Sequence, residues 1–350
     1  MKIFLTEKQT DTLDSKRMTA ITSCDEVYIS WKEYDGMRKN FHKNSAVNNY
    51  DSAIDSMPHL RDIMCNELNV EKFKKIQSFP LSPSNALIIR GLPFDHDLPE
   101  TPYEQDPDVE TLPILTSSIL GVFSILGIHP LAYEGENDDG FVRHVVPKFN
   151  ARNTVSSYGS EMHLGMHMDN PHLPLQTEPV LNLSACPEYL SLMGVRCEPN
   201  VPTRIVDIRR VINELPQFVR EQLMQPLYVI KRPESFSNQS LSITAPLLFL
   251  DEMGGYICRY NKANVRATTQ ASEFALNMLE YIAHLPENQI EITLNCGDLL
   301  IFKNQKTLHA RDAFIARFDG VDRWLIRVFG LSNMTRTIPS KLDKSYIVKA

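Results

Sequence analysis

The order of hydrophobic and polar residues divides the chain into a helix-rich first third and a strand-rich remainder. Apolar residues recur at helical spacing over 60–76 and over 112–126, where Thr111 is a candidate N-cap. Between these helices, 85–91 has the apolar run and terminal glycine of a strand that ends in a turn. The acidic, proline-rich stretch 93–107 is predicted to be a surface loop.

From about residue 140 onward the pattern changes to short strands. The predicted strands span residues 141–146, 189–195, 256–260, 291–294, 298–302 and 323–331. Two helices are predicted to interrupt them, at 208–224 and at 271–285. The predicted buried face of the second helix consists of Phe274, Met278, Ile282 and Leu285. Many short strands with few helices indicate a jelly roll or a barrel.

The chain is predicted to form one domain over residues 1–350. It contains no internal repeat, low-complexity tract or Gly/Ser linker, and its 22 prolines against 14 glycines indicate fixed turns and ordered loops. Within this domain we expect a helical or mixed part at 1–135 and a β core with inserted helices at 136–335.

Composition and charge narrow the class of protein. Hydrophobic residues make up 43% of the chain and charged residues 23%, as in an ordinary globular protein. The net charge of -7 argues against a nucleic-acid partner, and no stretch approaches the roughly 20 apolar residues that span a bilayer. Six cysteines without a CxxC pair argue against a disulfide framework or a thiolate zinc site. We expect a cytoplasmic protein whose partner is a small molecule.

Candidate metal ligands concentrate in the segment 161–172. In an extended strand, residues i and i+2 point to the same face, so His167 and Asp169 can present an imidazole and a carboxylate to one metal ion. A distant histidine must complete the site, and His309 is well placed after the predicted strand 298–302. Two imidazoles and one carboxylate leave three coordination positions open, which suits Fe(II) binding a bidentate co-substrate and O2.

Other interpretations of the histidines remain open. An HxD triplet alone is weak evidence, since a chain with ten histidines shows one by chance fairly often. His163 and His167 would bind zinc together on a helix, but Gly165 lies between them and the glutamate of HExxH is missing. His172 is predicted to be structural or to support the ligands. His129, His144 and His284 are predicted to be core or surface residues.

Two arginines share one face of the C-terminal strand. The segment 322–330 alternates so that Arg323, Leu325 and Arg327 point one way. Arginine on an apolar strand is costly unless it meets an anion, and its planar fork suits a carboxylate. An internal ion pair with Asp or Glu is one possible use. The other is to hold the distal carboxylate of 2-oxoglutarate and a carboxylate of the substrate, which predicts that the substrate is an acid.

Several of these segments together resemble a known family, the clavaminate synthase-like oxygenases, which include asparagine, arginine and lysine hydroxylases of free amino acids. The matching segments are 87–99, 140–147, 156–160, 187–196 and 309–327, within a similarity that covers approximately 85–331. The resemblance implies a double-stranded β-helix, that is, a jelly roll with flanking helices. It also implies a non-haem Fe(II) and 2-oxoglutarate-dependent dioxygenase.

The resemblance implies roles for particular residues. Fe(II) would be bound by His167, Asp169 and His309. In the family, the arginine 14 residues after the distal histidine binds 2-oxoglutarate and the one 18 residues after it binds the amino-acid carboxylate; these positions are Arg323 and Arg327. Many relatives have HxE where this chain has HxD, and retention of a carboxylate argues against halogenase chemistry.

The resemblance carries four further residues over with less specific motifs. Thr203 corresponds to a threonine that helps hold 2-oxoglutarate. Glu136 and Ser157 correspond to positions that bind the α-ammonium and backbone end of the substrate. Asn261, in the segment 259–261, corresponds to a strand that faces the substrate side chain.

The function predicted from these features is hydroxylation of an unactivated C–H bond of a free L-amino acid. L-lysine is the leading substrate, because the family contains lysine hydroxylases and the chain is acidic, and Asp251 or Glu252 could receive its ammonium. L-arginine, L-asparagine, a carrier-bound amino acid and desaturation remain alternatives. A non-catalytic jelly-roll protein that binds an acid or a metal, and a zinc hydrolase, are alternatives from other classes.

Overall fold

The computed structural model describes residues 24–44, 47–156, 158–178, 183–237, 240–251 and 253–350. The helices are α1 (Trp31–Asn44), α2 (Tyr50–Asp55), α3 (Met57–Glu67), α4 (Val70–Ser78), α5 (Pro113–Leu126), α6 (Ile208–Glu214), α7 (Gln217–Leu223) and α8 (Gln270–Ala283). The strands are β1 (Asp25–Tyr28), β2 (Ala86–Arg90), β3 (His129–Tyr133), β4 (Arg143–Val145), β5 (Leu164–His167), β6 (Tyr189–Arg196), β7 (Thr203–Asp207), β8 (Tyr228–Lys231), β9 (Ser242–Ala245), β10 (Leu248–Leu250), β11 (Tyr256–Cys258), β12 (Val265–Ala267), β13 (Gln289–Ile292), β14 (Leu299–Lys303), β15 (Thr307–Arg311), β16 (Trp324–Leu331), β17 (Pro339–Lys341) and β18 (Lys344–Val348).

Two sheets form the centre of the fold. The larger sheet has the order β1-β2-β14-β6-β16-β3-β18-β17, with β4 also paired to β16, and the smaller has the order β13-β7-β15-β5. One hydrophobic cluster joins them, since it contains Leu192 and Leu300 of the larger sheet together with Ile205 and Leu308 of the smaller one. This packing of two mostly antiparallel sheets is the predicted jelly roll.

The larger sheet is buried on both faces. Strand residues alternate, so Leu300 faces the smaller sheet while Leu299 and Ile301 belong to a second cluster that includes Leu120 of α5. Trp324 and its alternate neighbours on β16 also lie in this second cluster. The opposite face of β16 is therefore turned toward the space between the sheets, where β5 and β15 run side by side.

The N-terminal helices form as predicted in type but differ in their ends. The predicted helix 60–76 consists of two helices, α3 and α4. Asn69 lies between them and caps α4, since its Oδ1 accepts a hydrogen bond from the backbone N–H of Glu71 at 2.7 Å. Thr111 is not the cap of α5. Instead the carboxylate of Asp95 accepts hydrogen bonds from the backbone N–H groups of Ile114 at 3.2 Å and Leu115 at 3.0 Å. The predicted surface loop thus contributes a buried cap.

The two later helices also correct the sequence prediction. The helix predicted at 208–224 breaks at Leu215 and Pro216, where proline cannot continue the hydrogen-bond ladder. The buried face predicted for α8 is wrong at Phe274, whose exposed fraction is 50%. Its ring stacks on Phe218 at the surface, with the centroids 6.0 Å apart. The residues of α8 that enter the core are Ala275, Leu276, Leu279, Ile282 and Ala283.

All six cysteines are free thiols. Within the described residues, none of the helices combines the length and the apolar character that a membrane crossing requires.

Candidate active site

Three side chains with metal-binding atoms meet between the two sheets. His167 ends β5 and is the direct register partner of His309 on β15, and the ring centroids lie 4.0 Å apart. Asp169 follows two residues after His167, on the same side of the extended chain. One ligand atom from each of the three residues lies within 4.8 Å of the others. The structure therefore brings together the three residues that the sequence predicted as ligands.

The two imidazoles each leave a ring nitrogen for a metal ion. The Nδ1 atom of His167 lies 2.8 Å from the carbonyl oxygen of Gly165. Because a carbonyl only accepts hydrogen bonds, Nδ1 is the donor of this contact, and Nε2 is the ring nitrogen that can face a metal ion. Burial lowers the pKa of His309 to about 3, so this imidazole is neutral at physiological pH.

The two oxygens of Asp169 face different partners. Its Oδ1 atom lies 3.7 Å from Nε2 of His167, whereas its Oδ2 atom accepts a hydrogen bond from Nη1 of Arg327 at 3.1 Å. Burial alone raises the pKa of the Asp169 carboxyl, but the positive charge of Arg327 lowers it, and the pKa lies below its ordinary value. The carboxylate is ionised, with one oxygen directed toward the imidazoles.

The donor set fits an iron ion of the facial-triad type. Two imidazoles and one carboxylate on one side of a cavity leave the other side open for further ligands. The alternative zinc pair is not formed. His163 stands just before β5 and not on a helix, so four extended residues, about 13 Å, separate it from His167. Its Nδ1 lies 3.4 Å from Asp312 at the surface.

Asn304 fixes the position of Asp169 and was missed by the sequence analysis. Its Oδ1 accepts from the backbone N–H of Asp169 and its Nδ2 donates to the backbone carbonyl of the same residue, both at 3.1 Å. Nδ2 also donates to the carbonyl of Pro187 at 3.0 Å. Because Asn304 lies in the turn that leads into β15, it connects the carboxylate arm of the site to the strand of His309.

A cavity of about 420 Å³ opens beside these ligands, and one wall carries Arg323 and Thr203. Nη2 of Arg323 donates to Oγ1 of Thr203 at 3.2 Å. Among the residues that the structure describes, no carboxylate lies within ion-pair distance of Arg323, although the side chain is buried. The internal ion pair that the sequence left open is therefore not made there. Burial, and next the charge of Arg311, lower the pKa of Arg323 to about 9.

Arg327, four residues after Arg323, also lines the cavity and is bridged between two acids. Besides Asp169, its guanidinium contacts Glu136, with Nη2 donating to Oε1 at 3.2 Å. The same Oε1 atom also accepts from Nη1 of Arg143 at 3.3 Å. Arg143 lines the cavity and was not predicted; its position on β4, which pairs with β16, brings it beside Arg327. Nε of Arg327 has no hydrogen-bond partner among the described residues.

Of the remaining predicted site residues, some line the cavity and others do not. Asn261 lines the cavity and forms an isolated β-bridge with His167, while its Oδ1 accepts from the backbone N–H of Ala263 at 3.0 Å. Ser157 and Glu252 lie outside the described residues. Asp251 is not part of the cavity wall, because its carboxylate is paired with Lys306 at 2.6 Å.

A second, larger cavity of about 1270 Å³ lies next to the first, and the two share Glu234 and Ser235. Its wall is acidic. The charged residues that line it are Glu104, Asp106, Asp138, Asp139, Glu234 and Lys148. Two of these acids are paired with lysines, Asp106 with Lys148 at 2.5 Å and Asp139 with Lys341 at 2.9 Å. Acids still outnumber bases among the charged residues of this wall.

The jelly roll and the buried His, Asp and His cluster define a mononuclear metal oxygenase of the facial-triad class. A family model described as "Taurine catabolism dioxygenase TauD, TfdA family" matches residues 104–329. The chain belongs to this family. The predicted class of enzyme, a dioxygenase, and the predicted family relationship are confirmed.

Individual relatives agree with this assignment. The chain is 26% identical over 272 residues to the L-asparagine oxygenase of Streptomyces coelicolor, a match that covers 77% of each chain. It is 23% identical over 293 residues to the L-lysine 3-hydroxylase of Catenulispora acidiphila, covering 81% of this chain and 78% of the relative.

A solved structure confirms the predicted fold. It is an asparagine oxygenase in complex with Fe(II), 2S,3S-3-hydroxyasparagine and succinate, and it superposes with a TM-score of 0.77 at 23% identity. The match covers 93% of this chain and 99% of that chain. The Fe(II) and succinate of that complex are in accord with the cofactor and co-substrate predicted from the sequence.

Proposed function

We propose that this protein is an Fe(II)- and 2-oxoglutarate-dependent hydroxylase of a free L-amino acid, with L-lysine as the leading substrate. The observation that carries the proposal is the presence, in one cavity, of the three-donor cluster and of Arg323, a buried arginine without an acidic partner among the described residues. A structural metal site would not need an unpaired buried cation beside it. A dicarboxylate that chelates the metal at one end and meets the arginine at the other accounts for both features.

The protein would supply the metal ligands, orient the bound molecules and exclude water from the site. His167, Asp169 and His309 would hold Fe(II), which with 2-oxoglutarate supplies the oxygen-activating chemistry of this enzyme class. Arg323, assisted by the hydroxyl of Thr203, would pair with the distal carboxylate of 2-oxoglutarate.

Arg327 and Glu136 would bind the amino-acid end of the substrate. Nε of Arg327 is unpartnered and its guanidinium can meet a substrate carboxylate, while Glu136 offers a buried carboxylate to the α-ammonium. By the family resemblance Ser157 would contact the same end. Asn261 would face the side chain, since it bridges to the strand of His167.

The acidic residues of the outer cavity favour a substrate with a cationic side chain over a substrate with a neutral amide. Glu234 lies where the two cavities meet, so an ammonium that extends from the inner cavity would point toward it. The similarity to the L-lysine 3-hydroxylase also favours L-lysine. The similarity to the L-asparagine oxygenase makes L-asparagine the second candidate.

Release of succinate across the common free L-amino acids, with the product mass checked for a gain of one oxygen, tests the substrate. We expect L-lysine to give the highest turnover. If only L-asparagine were oxidised, the charge of the outer cavity would not be the basis of selection.

Anaerobic titration with Fe(II) and 2-oxoglutarate tests the class of enzyme. We expect a metal-to-ligand charge-transfer band that is lost in His167→Ala and kept in His129→Ala, a control at an exposed histidine. Absence of the band in the wild-type protein would favour a non-catalytic acid- or metal-binding module. Activity with zinc that needs no O2 would favour a hydrolase.

A further inference from the structure

Arg311 stands beside the proposed 2-oxoglutarate clamp. In the register of the smaller sheet, Arg311 of β15 is directly opposite Thr203 of β7. Side chains of directly paired residues lie on the same face, with Cβ atoms about 5 Å apart. Thr203 in turn accepts the hydrogen bond from Arg323, and all three residues line the same cavity. Arg311 and Arg323 are thus both neighbours of Thr203 in the cavity wall.

The side chain of Arg311 is buried with few partners. Its exposed fraction is 6%. Nη2 donates to the carbonyl of Met162 at 3.3 Å, and the guanidinium lies over the ring of Phe314 at 5.2 Å, while Nε has no hydrogen-bond partner among the described residues. The adjacent Asp312 forms no ion pair with Arg311 among the described residues; its carboxylate is paired with Arg204 and approaches His163.

Two neighbouring buried cations without an acidic partner are costly. Desolvation penalises each guanidinium, and their like charges repel in a medium of low dielectric constant. An anion between them would reverse both penalties, because a carboxylate has two oxygens and can accept from two guanidinium groups at once.

We propose that Arg311 is a second binding residue for the distal carboxylate of 2-oxoglutarate, so that Thr203, Arg311 and Arg323 form one anion subsite. This proposal rests on the proposed function, since it concerns the same co-substrate. It adds a requirement that a single arginine would not impose, namely strong selection for keto acids that carry a second carboxylate.

Comparing two keto acids isolates this contribution. 2-Oxopentanoate has the same chelating end as 2-oxoglutarate but a methyl group in place of the distal carboxylate. Dissociation constants of both acids are measured anaerobically by calorimetry with the Mn(II)-loaded protein, for the wild type, R311Q, R323Q and R266Q. Arg266 is the control, since it is exposed on β12 and does not line the cavity.

We expect R311Q to weaken 2-oxoglutarate binding by roughly 10- to 100-fold, the effect of losing hydrogen bonds to a charged group. Binding of 2-oxopentanoate should change by less than about twofold, because the lost partner is absent from that ligand. R323Q should behave in the same way, and R266Q should leave both dissociation constants unchanged.

The result that overturns the proposal is an R311Q variant that binds 2-oxoglutarate like the wild type, or that weakens both acids equally, which indicates a structural role. R311K keeps the charge but loses the planar fork; it should show a smaller loss that is again confined to 2-oxoglutarate, and this variant decides the question if R311Q does not fold. If the wild type binds neither acid, the proposed function itself fails. If the wild type and R323Q behave as expected but R311Q does not, only the role of Arg311 fails.

Discussion

Replacing Asn304 by alanine should loosen the metal site without touching a ligand. The amide makes three hydrogen bonds to backbone groups, two of them to Asp169 and one to the carbonyl of Pro187, and Asn304 is fully buried. Each backbone group left without its partner costs about 1 kcal/mol. We therefore expect Asn304→Ala to lower the free energy of unfolding by about 3 kcal/mol.

Metal affinity should fall as well, because Asp169 loses the contacts that hold its backbone against the turn before β15. Loss of a residue that orients a ligand typically costs about 10- to 100-fold in metal affinity. The measurement is competitive titration of Mn(II) or Co(II) into the metal-free protein, together with urea unfolding.

Gln305→Ala is the matched control. This neighbour fixes the same loop, since its Oε1 accepts from the N–H of Gln176 at 3.1 Å and its Nε2 donates to the carbonyl of Cys186 at 3.3 Å, but it does not contact Asp169. We expect it to lose stability and keep metal affinity. Equal metal affinities in the two variants, or an Asn304→Ala variant that binds metal like the wild type, would refute the orienting role.

Three further predictions concern stability. Asp95→Ala should lower the free energy of unfolding by about 1 to 2 kcal/mol, measured by urea denaturation, because the cap of α5 is lost. Leu279→Ala should cost about 2 to 4 kcal/mol, whereas Phe274→Gln should stay within about 1 kcal/mol in the same assay, since only Leu279 faces the core. Burial raises the pKa of Glu33, but hydrogen bonds, chiefly from Lys72, lower it to a net value of about 2. Its contribution to stability is therefore complete above pH 4.5 and lost toward pH 2, and Glu33→Gln should remove that part of the acid dependence of unfolding.

The parts of the site that were readable from the sequence depend on short-range geometry. His167 and Asp169 are two residues apart on an extended chain, and Arg323 and Arg327 are four apart on a strand, so the side-chain period of two suffices to place each pair on one face. The fold class was readable for a related reason, because many short alternating segments have few stable arrangements.

The residues that were missed act across long sequence separations. Asn304 bonds to a residue 135 positions away, and Asp95 caps a helix that begins 18 positions later; neither has a periodic signature. Tertiary packing also decided which face of α8 is buried, whereas the breaks in the two predicted helices follow from the local residues Asn69 and Pro216. Arg311 is different, since it lies two residues after His309 on β15, a strand that was not predicted. With that strand assigned, the reasoning applied to Arg323 would have found it.

Arg327 differs from Arg311 and Arg323 in how its charge is neutralised, and this difference bears on the order of binding. Arg311 and Arg323 meet no acid among the described residues, so on the proposed assignment the co-substrate enters a site whose cations gain a partner they lack. Arg327 already holds Asp169 and Glu136, so a substrate carboxylate there must compete with, or add to, two internal ion pairs. Within its guanidinium, the unpartnered Nε is the atom that can bind a carboxylate without displacing an internal partner.

An amino acid therefore gains less binding free energy at Arg327 than 2-oxoglutarate gains at Arg323. The contact between the α-ammonium and Glu136 is needed to make up the difference. Amino-acid recognition then depends on both charged ends of the substrate, which favours a free amino acid over one whose carboxylate is tied to a carrier.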